Sequence, residues 1–292
     1  MPTPKIPATV RRFYGSNAIV QLADGVEQSA QTSSRNKSLV CGDRVLMEMR
    51  AGDFYIVETE QRETEFFRTD GFGRRKIIAA NVDQIILVIA PQPSPHMHVI
   101  DRYWVAARNC SIPMALLMNK SDLVFDGLLL EIEAVYKKIG LEIHCSSTKS
   151  GSGIEAVRKL LAGKSSVFVG QSGVGKSSIV NSLRGNEKIQ TGGLSERRDE
   201  GRHTTTTSDF YDIGDDARII DSPGIREFGL NHYDQRSLES GFIEIEEASE
   251  CCRFRDCVHQ RTPGCGVEAA VKNGKIDERR LESYRQLLAL IS

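Results

Sequence analysis

The chain has 292 residues, enough for two or three domains and a sizeable buried core. Its 38 basic and 39 acidic side chains exclude a uniformly basic nucleic-acid coat and leave room only for local patches. Met1-Pro2-Thr3-Pro4-Lys5 carries no apolar signal segment and no apolar run reaches membrane length, so a soluble, cytoplasmic protein is expected.

Residues 9–14, 17–22, 45–49 and 54–57 are rich in β-branched and aromatic side chains. Turn signals at Gly15-Ser16, Asp24-Gly25 and Ala51-Gly52-Asp53 separate them. Short strands at this spacing predict an all-β, OB-like barrel over residues 1–65. Arg11, Arg12, Arg35 and Lys37 lend it positive charge, which suits a solvated surface as well as a nucleic-acid face. From Gln61 to Lys76 the chain turns basic, with Arg62, Arg68, Arg74, Arg75 and Lys76 around Gly71 and Gly73. That stretch reads as a charged linker.

An α/β pattern then begins and is expected to span 66–230. Residues 84–89 form a continuous apolar run, followed by a Pro-rich loop and a helix from about 100 to 109. A second strand, 114–118, runs into Asn119-Lys120-Ser121-Asp122. A helix from about 127 to 139 and a strand over 141–145 follow, ending in Ser146-Ser147. Strands alternating with helices imply a parallel sheet covered on both faces, with ligands at the carboxyl ends of its strands.

The apolar run 167–169 leads into Gly170-Gln171-Ser172-Gly173-Val174-Gly175-Lys176-Ser177, and Ser178 opens an amphipathic stretch to Leu183. Strand, Gly-rich turn and helix is the context of a phosphate cradle. Glycines let backbone N–H groups converge on an anion, and the helix N-terminus adds partial positive charge. Lys176 would reach the β- and γ-phosphates and the Ser177 hydroxyl would ligate Mg²⁺.

Asn119-Lys120-Ser121-Asp122 taken alone is equally a helix N-cap. Beside a phosphate cradle it selects the base. A carboxylate at Asp122 accepts from N1–H and the 2-amino group of guanine, and adenine offers neither. The expected nucleotide is GTP, with GDP as product.

Gly201-Arg202-His203-Thr204-Thr205-Thr206-Thr207 follows a charged loop (192–203) with the composition of a switch, and Asp221-Ser222-Pro223-Gly224 ends an apolar run. A loop threonine senses Mg²⁺ and the γ-phosphate, while Asp-x-x-Gly supplies a magnesium carboxylate acting through water and a glycine N–H. Thr204 to Thr207 are not distinguished by spacing; Thr205 is favoured. Ras-like enzymes orient the attacking water with a glutamine after Asp-x-x-Gly. Here Ile225 stands there, and His203 is the nearest substitute in sequence, the alternative being a solvated loop histidine.

The last segment, 231–292, holds Cys252, Cys257, His259 and Cys265 within fourteen residues, a set suited to tetrahedral structural zinc. Without a signal peptide, such clustering reads as metal ligation before disulfides. Cys251 is the alternative first ligand. The spacing is not that of a Cys₂His₂ finger, so DNA reading does not follow. Cys41, Cys110 and Cys145 sit among apolar residues and read as core. Residues 277–291 form an amphipathic helix, with Leu281, Tyr284, Leu287, Leu288 and Ile291 on one stripe and Arg279, Arg280 and Arg285 off it, facing solvent or RNA.

The motif order differs from that of an ordinary small GTPase, because the base-reading box precedes the phosphate loop. The domain is circularly permuted. A barrel, a permuted GTPase and a Cys/His cluster in that order resemble the bacterial ribosome small-subunit-dependent GTPase A family. Asn81-Val82-Asp83-Gln84, Ile100-Asp101-Arg102, Asn119-Lys120-Ser121-Asp122, Gly170 to Ser178, Gly201 to Thr206 and Asp221 to Gly224 carry the resemblance, with the cluster.

The resemblance implies an α/β P-loop GTPase with permuted motif order, an OB-like barrel before it and a small helical zinc module after it. It favours Cys252 over Cys251 as ligand and supports His203 in hydrolysis. It further implies Mg²⁺, one structural Zn²⁺, and docking on the small ribosomal subunit and its 16S rRNA in late maturation, with release on hydrolysis. Nothing in the sequence demands a dimer, so a monomer is expected. A GTP-dependent switch on another RNA or protein is the alternative; an ATPase is disfavoured by Asp122. The chain passes from Gly224 into the C-terminal module, so a nucleotide-driven shift there is expected to pull on that module. Identical deuterium exchange in the module with GDP and with a non-hydrolysable GTP analogue would refute that coupling.

Overall fold

A computed structural model describes residues 4–32, 38–69, 74–123, 126–184, 208–221 and 235–291. Strands β1 (Ile6–Phe13), β2 (Asn17–Leu22), β3 (Glu27–Thr32), β4 (Arg44–Arg50) and β5 (Asp53–Thr59) close into a barrel in the order β1-β2-β3-β5-β4. Period-two alternation turns Val10, Ala18, Val20, Ala30, Val45 and Met47 inward, all 0% exposed. Strand β3 carries no hydrophobic signature in the sequence, since Ala30 is its sole buried apolar residue. A small barrel accepts a small side chain where its interior is crowded, so closure rather than propensity makes this a strand.

The expected linker is instead an antiparallel pair, β6 (Glu65–Thr69) with β7 (Arg75–Ala80). Its charge density hides two anchors, Phe66 and Phe67, which are both buried in the core under the neighbouring sheet. Consecutive residues of a strand ordinarily face opposite ways. A register shift between Phe66 and Phe67 lets both be covered, and the Arg75 guanidinium caps the Phe67 ring at 3.7 Å.

The α/β sheet has the order β10-β9-β8-β11-β13-β12. Strands β8 (Gln84–Ile89), β9 (Met114–Met118), β10 (Glu142–Cys145), β11 (Ser165–Val169) and β13 (Arg218–Asp221) are parallel, and β12 (Asp209–Asp212) is an antiparallel edge. Along β8, Ile85, Leu87 and Ile89 join one core with α1 (Met97–Asn109) and α2 (Asp126–Tyr136). Ile86 and Val88 join the opposite core with α3 (Ile154–Leu161) and α4 (Lys176–Arg184). Burial on both faces is why these strands are unbroken apolar runs. Cys41 and Cys110 are core residues as expected, and burial pushes the Cys110 thiol up to about 11.

Asn81-Val82-Asp83-Gln84 proves to be a joint. Asn81, at a φ of 54°, donates to the Gly42 carbonyl at 2.8 Å and accepts from Glu63 N–H at 3.0 Å. A Cβ on Gly42 would lie 2.1 Å from the Ala80 carbonyl oxygen, so only glycine lets barrel and sheet approach this closely. Asp83 accepts from the Ser165 N–H at 2.7 Å, and Gln84 donates to the Leu160 carbonyl and the Ser166 hydroxyl at 3.0 Å.

The C-terminal module packs α5 (Gln235–Glu239), α6 (Ile243–Ser249), α7 (Gly266–Lys272) and α8 (Glu278–Ile291) around one apolar core that includes Val105 of α1. Leu281, Tyr284, Leu287 and Leu288 face inward as predicted. Arg280 does not face solvent. It is 2% exposed, paired with Asp101 of α1 and with Glu244 at 2.6 Å, its guanidinium 4.1 Å from the Phe242 ring centroid. A helical stripe cannot reveal that two carboxylates wait on the facing wall. Arg279 pairs with Asp277 at 3.2 Å and Glu131 at 3.6 Å, and Arg285 with Glu268 at 2.8 Å. Arg285 thus binds the module internally, whereas Arg279 and Arg280 tie it to Glu131 of α2 and Asp101 of α1.

Candidate functional site

Strand β11 ends at Gly170, where the chain turns under the neighbouring strand. Gly170 has a φ of 136°, and a Cβ there would lie 2.1 Å from the Val88 carbonyl oxygen. Gly175, at 96°, would place a Cβ 2.2 Å from Asn119 Nδ2. Gly173 also has positive φ, and Val174 is buried beneath the turn. The loop is therefore open on one side and locked on the other, and α4 starts at Lys176 with its N-terminus at the loop. Lys176 Nζ donates to the Gly170 and Gln171 carbonyls at 2.8 and 2.7 Å. The lysine thus holds the loop's shape, with its ammonium beside the cradle. Ser172 and Ser178 are exposed and Ser177 is half-buried on the first turn of α4.

The tetrapeptide Asn119-Lys120-Ser121-Asp122 leaves the end of β9 beside that loop. Asn119 is 1% exposed, donates from Nδ2 to the Val174 carbonyl at 2.8 Å and accepts from the Ser146 hydroxyl at 3.3 Å. Lys120, at a φ of 59°, donates from Nζ to the Gly173 and Gln92 carbonyls, both at 2.7 Å. Asn119 and Lys120 spend their side chains bracing the phosphate loop. Asp122 is the one left to present a carboxylate. It accepts from the Ser147 hydroxyl at 2.6 Å, with Lys149 at 3.7 Å. The Ser147 hydrogen bond, more than the Lys149 charge, holds its carboxyl below the usual carboxylate range, so it is an ionised acceptor.

Asp221 ends β13 in antiparallel register with Asp209 of β12. His203, Thr205 and Gly224, with the other loop threonines and Ile225, lie outside the described residues.

In the C-terminal module the ligand atoms of Cys252, Cys257, His259 and Cys265 all lie within 4.8 Å of one another. His259 Nδ1 is 3.6 Å from Cys252 Sγ and 3.5 Å from Cys265 Sγ, and the two sulfurs are 4.0 Å apart. Tetrahedral zinc, with bonds of about 2.3 Å to sulfur and about 2.0 Å to nitrogen, sets edges of about 3.6–3.8 Å. The set fits that ion. Gly266 and Glu268 N–H groups point at the Cys252 and Cys265 sulfurs, the donors that thiolates take. His259 turns Nδ1 toward the sulfurs, which makes it the ligating atom, while Nε2 lies 3.9 Å from Glu239, itself fixed by the Tyr284 hydroxyl at 2.9 Å. Cys251 is exposed and outside the set.

A P-loop braced by an Asn-Lys-x-Asp that precedes it in the chain, on a sheet whose strands occur in this order, defines a circularly permuted GTPase. A family model described as RsgA GTPase matches residues 59–231. The small ribosomal subunit biogenesis GTPase RsgA of Pseudomonas fluorescens Pf-5 is 46% identical over 258 residues, 86% of this chain and 75% of the relative. That of Ectopseudomonas mendocina is also 46% identical, over 256 residues, with the same coverage. Among solved structures, YjeQ from Thermotoga maritima superposes with a TM-score of 0.81 at 28% identity, over 99% of both chains. YloQ, described as a circularly permuted GTPase, shares the fold at a TM-score of 0.76 and 22% identity, over 99% of this chain and 95% of its own. The chain belongs to the RsgA GTPase family and is a GTPase. Membership implies a guanine nucleotide and Mg²⁺, and a glycine loop with positive φ at Gly170, Gly173 and Gly175, leading into the N-terminus of α4, fits a nucleotide's phosphates.

Sequence reasoning singled out the glycine loop and Asn119-Lys120-Ser121-Asp122, which the structure brings side by side, and the cysteine cluster, whose four ligand atoms it groups. It missed Asp101 with Arg280, and Arg11 and Arg12 with Asp209, because each pair spans well over a hundred residues and has no local signature.

Proposed function

We propose that this chain binds the small (30S) ribosomal subunit in its GTP form, serves its late maturation and leaves once GTP is hydrolysed. The observation that carries the reading is 46% identity, across most of the chain, to proteins named small ribosomal subunit biogenesis GTPase. In this reading the protein acts in the cytoplasm as a monomer. The units are a barrel over 1–65, the GTPase over 66–230 and a zinc module over 231–292, each meeting 16S rRNA.

Asp122 pairs guanine N1–H and the 2-amino group, with Ser146 and Ser147 shaping the rim of the base pocket. Backbone N–H groups from Gly170 to Ser178 surround the phosphates, and Lys176 leaves its loop carbonyls for the β- and γ-oxygens. Ser177 and Thr205 would hold Mg²⁺ directly and Asp221 through water, and the ion would supply positive charge that offsets the phosphates. The Gly224 N–H meets the γ-phosphate. His203 orients the water that attacks the γ-phosphorus as the bond to the β–γ bridging oxygen breaks, giving GDP and phosphate. Cys252, Cys257, His259 and Cys265 hold one Zn²⁺ that supplies structure and no chemistry.

The test is GTP turnover alone, with small subunits and with large subunits, repeated for His203→Ala. Stimulation by small subunits only, lost in His203→Ala, is the expected result. Equal turnover in all three conditions would overturn the ribosomal reading in favour of a GTP-dependent switch on another RNA or protein.

A further inference from the structure

The edge strand β12 has four residues and, among the described residues, pairs only with β13. So short an edge has few hydrogen bonds of its own and belongs to the low-stability end of a fold. The barrel grips it from outside. Asp209 accepts from Arg11 Nε at 2.8 Å, from Arg12 Nε at 2.8 Å and from Arg12 Nη2 at 2.5 Å. The Arg11 guanidinium lies over the Phe210 ring at 5.2 Å, and Gln21 donates to Asp212 at 2.7 Å. Two of the four β12 residues are thus hydrogen-bonded to β1 or β2, and a third lies under an arginine of β1.

The Arg11 and Asp209 side chains are 14% and 16% exposed, shielded enough for charge-assisted bonds to matter. A cavity of ≈ 40 Å³, lined by Thr9, Gly42, Asn81, Phe210, Arg218 and Ile220 among others, lies at the same seam. The gripped residue is also well placed: Asp209 stands directly across from Asp221 in register, and it follows Thr207 by two positions.

We propose that Arg11 and Arg12 are positioning residues for GTP hydrolysis: by gripping Asp209 they hold β12 on β13 and so keep Asp221 placed for Mg²⁺. This rests on the reading of Asp221 as the magnesium carboxylate. The barrel is then part of the hydrolytic machinery as well as a docking module. Linkage makes the coupling reciprocal, so a partner that shifts the barrel changes the protein's affinity for Mg²⁺, and Mg²⁺ with GTP changes the barrel's affinity for that partner.

The experiment is a Mg²⁺ titration of GTP turnover in the full chain for wild type, Arg12→Ala, Arg12→Lys, Asp209→Asn and Asp221→Ala. It is paired with GDP affinity in chelator and amide exchange over 209–212. Arg12→Ala and Asp209→Asn are expected to raise the half-saturating Mg²⁺ about five- to tenfold. They should speed exchange over 209–212 while Mg²⁺-free GDP affinity stays at the wild-type value. Arg12→Lys, which keeps the charge but can supply one bond where the guanidinium gives two, should recover part of the loss. Asp209→Asn is isosteric and guards against misfolding of the arginine variant. An unchanged Mg²⁺ requirement in Arg12→Ala and Asp209→Asn, with a shift in Asp221→Ala, overturns the clamp alone. No shift in Asp221→Ala overturns the magnesium reading, and the clamp with it.

Discussion

Replacing Arg280 by alanine tests how the C-terminal module is held to the GTPase. Arg280 and Asp101 have side chains only 2% exposed, whereas Glu244 is 19% exposed and keeps some water. Removing the arginine strands Asp101 without a counter-charge, a change that costs about 3–5 kcal/mol in buried pairs. At about 2 °C per kcal/mol for a chain of this size, the melting temperature should fall by about 6–10 °C. Asp101→Asn with Arg280→Met removes the stranded charge along with its partner and should recover most of that loss, because replacing a buried pair is far milder than breaking it.

The pH dependence has a defined sign. Burial pushes the Asp101 carboxyl up, with Arg280 opposing. Without Arg280 the folded value climbs further above the unfolded value of about 3.9. A carboxyl raised in the folded state is tolerated while protonated, and that stability is lost as pH rises through the folded value. The gap in melting temperature between wild type and Arg280→Ala should therefore be smaller at pH 5 than at pH 8. Thermal melts read by circular dichroism at both pH values decide it. A gap equal or larger at pH 5, or a double variant as unstable as the single one, would refute the reasoning.

Asp122→Asn should weaken GDP binding by at least about a hundredfold, because the site then offers a donor where guanine also donates. Ser147→Ala, which removes the hydroxyl that donates to Asp122 and accepts from the Ser150 N–H, should cost about 0.5–1.5 kcal/mol, or about two- to tenfold, in nucleotide binding; fluorescent-GDP titration checks both. Gly175→Ala should abolish nucleotide binding while leaving the barrel's amide exchange intact, since its Cβ would sit 2.2 Å from Asn119 Nδ2. Purified protein should carry one zinc per chain by atomic absorption, reduced in Cys252→Ser and unchanged in Cys251→Ser. Chelation should deprotect α7 and the cluster loop in hydrogen exchange before it affects the sheet.

The sequence by itself determined what depends on neighbouring residues. A phosphate loop is a strand, a glycine turn and a helix start in succession, so Gly170 to Ser178 announce it. Three cysteines and a histidine within fourteen residues announce a metal in the same way. The continuous run of β8 reads correctly because both faces of a parallel sheet are covered. Motif order, also a property of the chain alone, exposed the permutation. Tertiary structure decided what depends on distant partners. Strand β3 exists because a barrel needs closing, although its residues have little preference for it. Phe66 and Phe67 lay hidden in a basic stretch because a register shift, not alternation, buries both. Arg280 turned from a surface charge into a buried tie, and Arg11 and Arg12 into a grip on β12. An arginine carries the same charge wherever it stands; only the carboxylate folded against it decides whether it meets solvent, a ligand or its own chain.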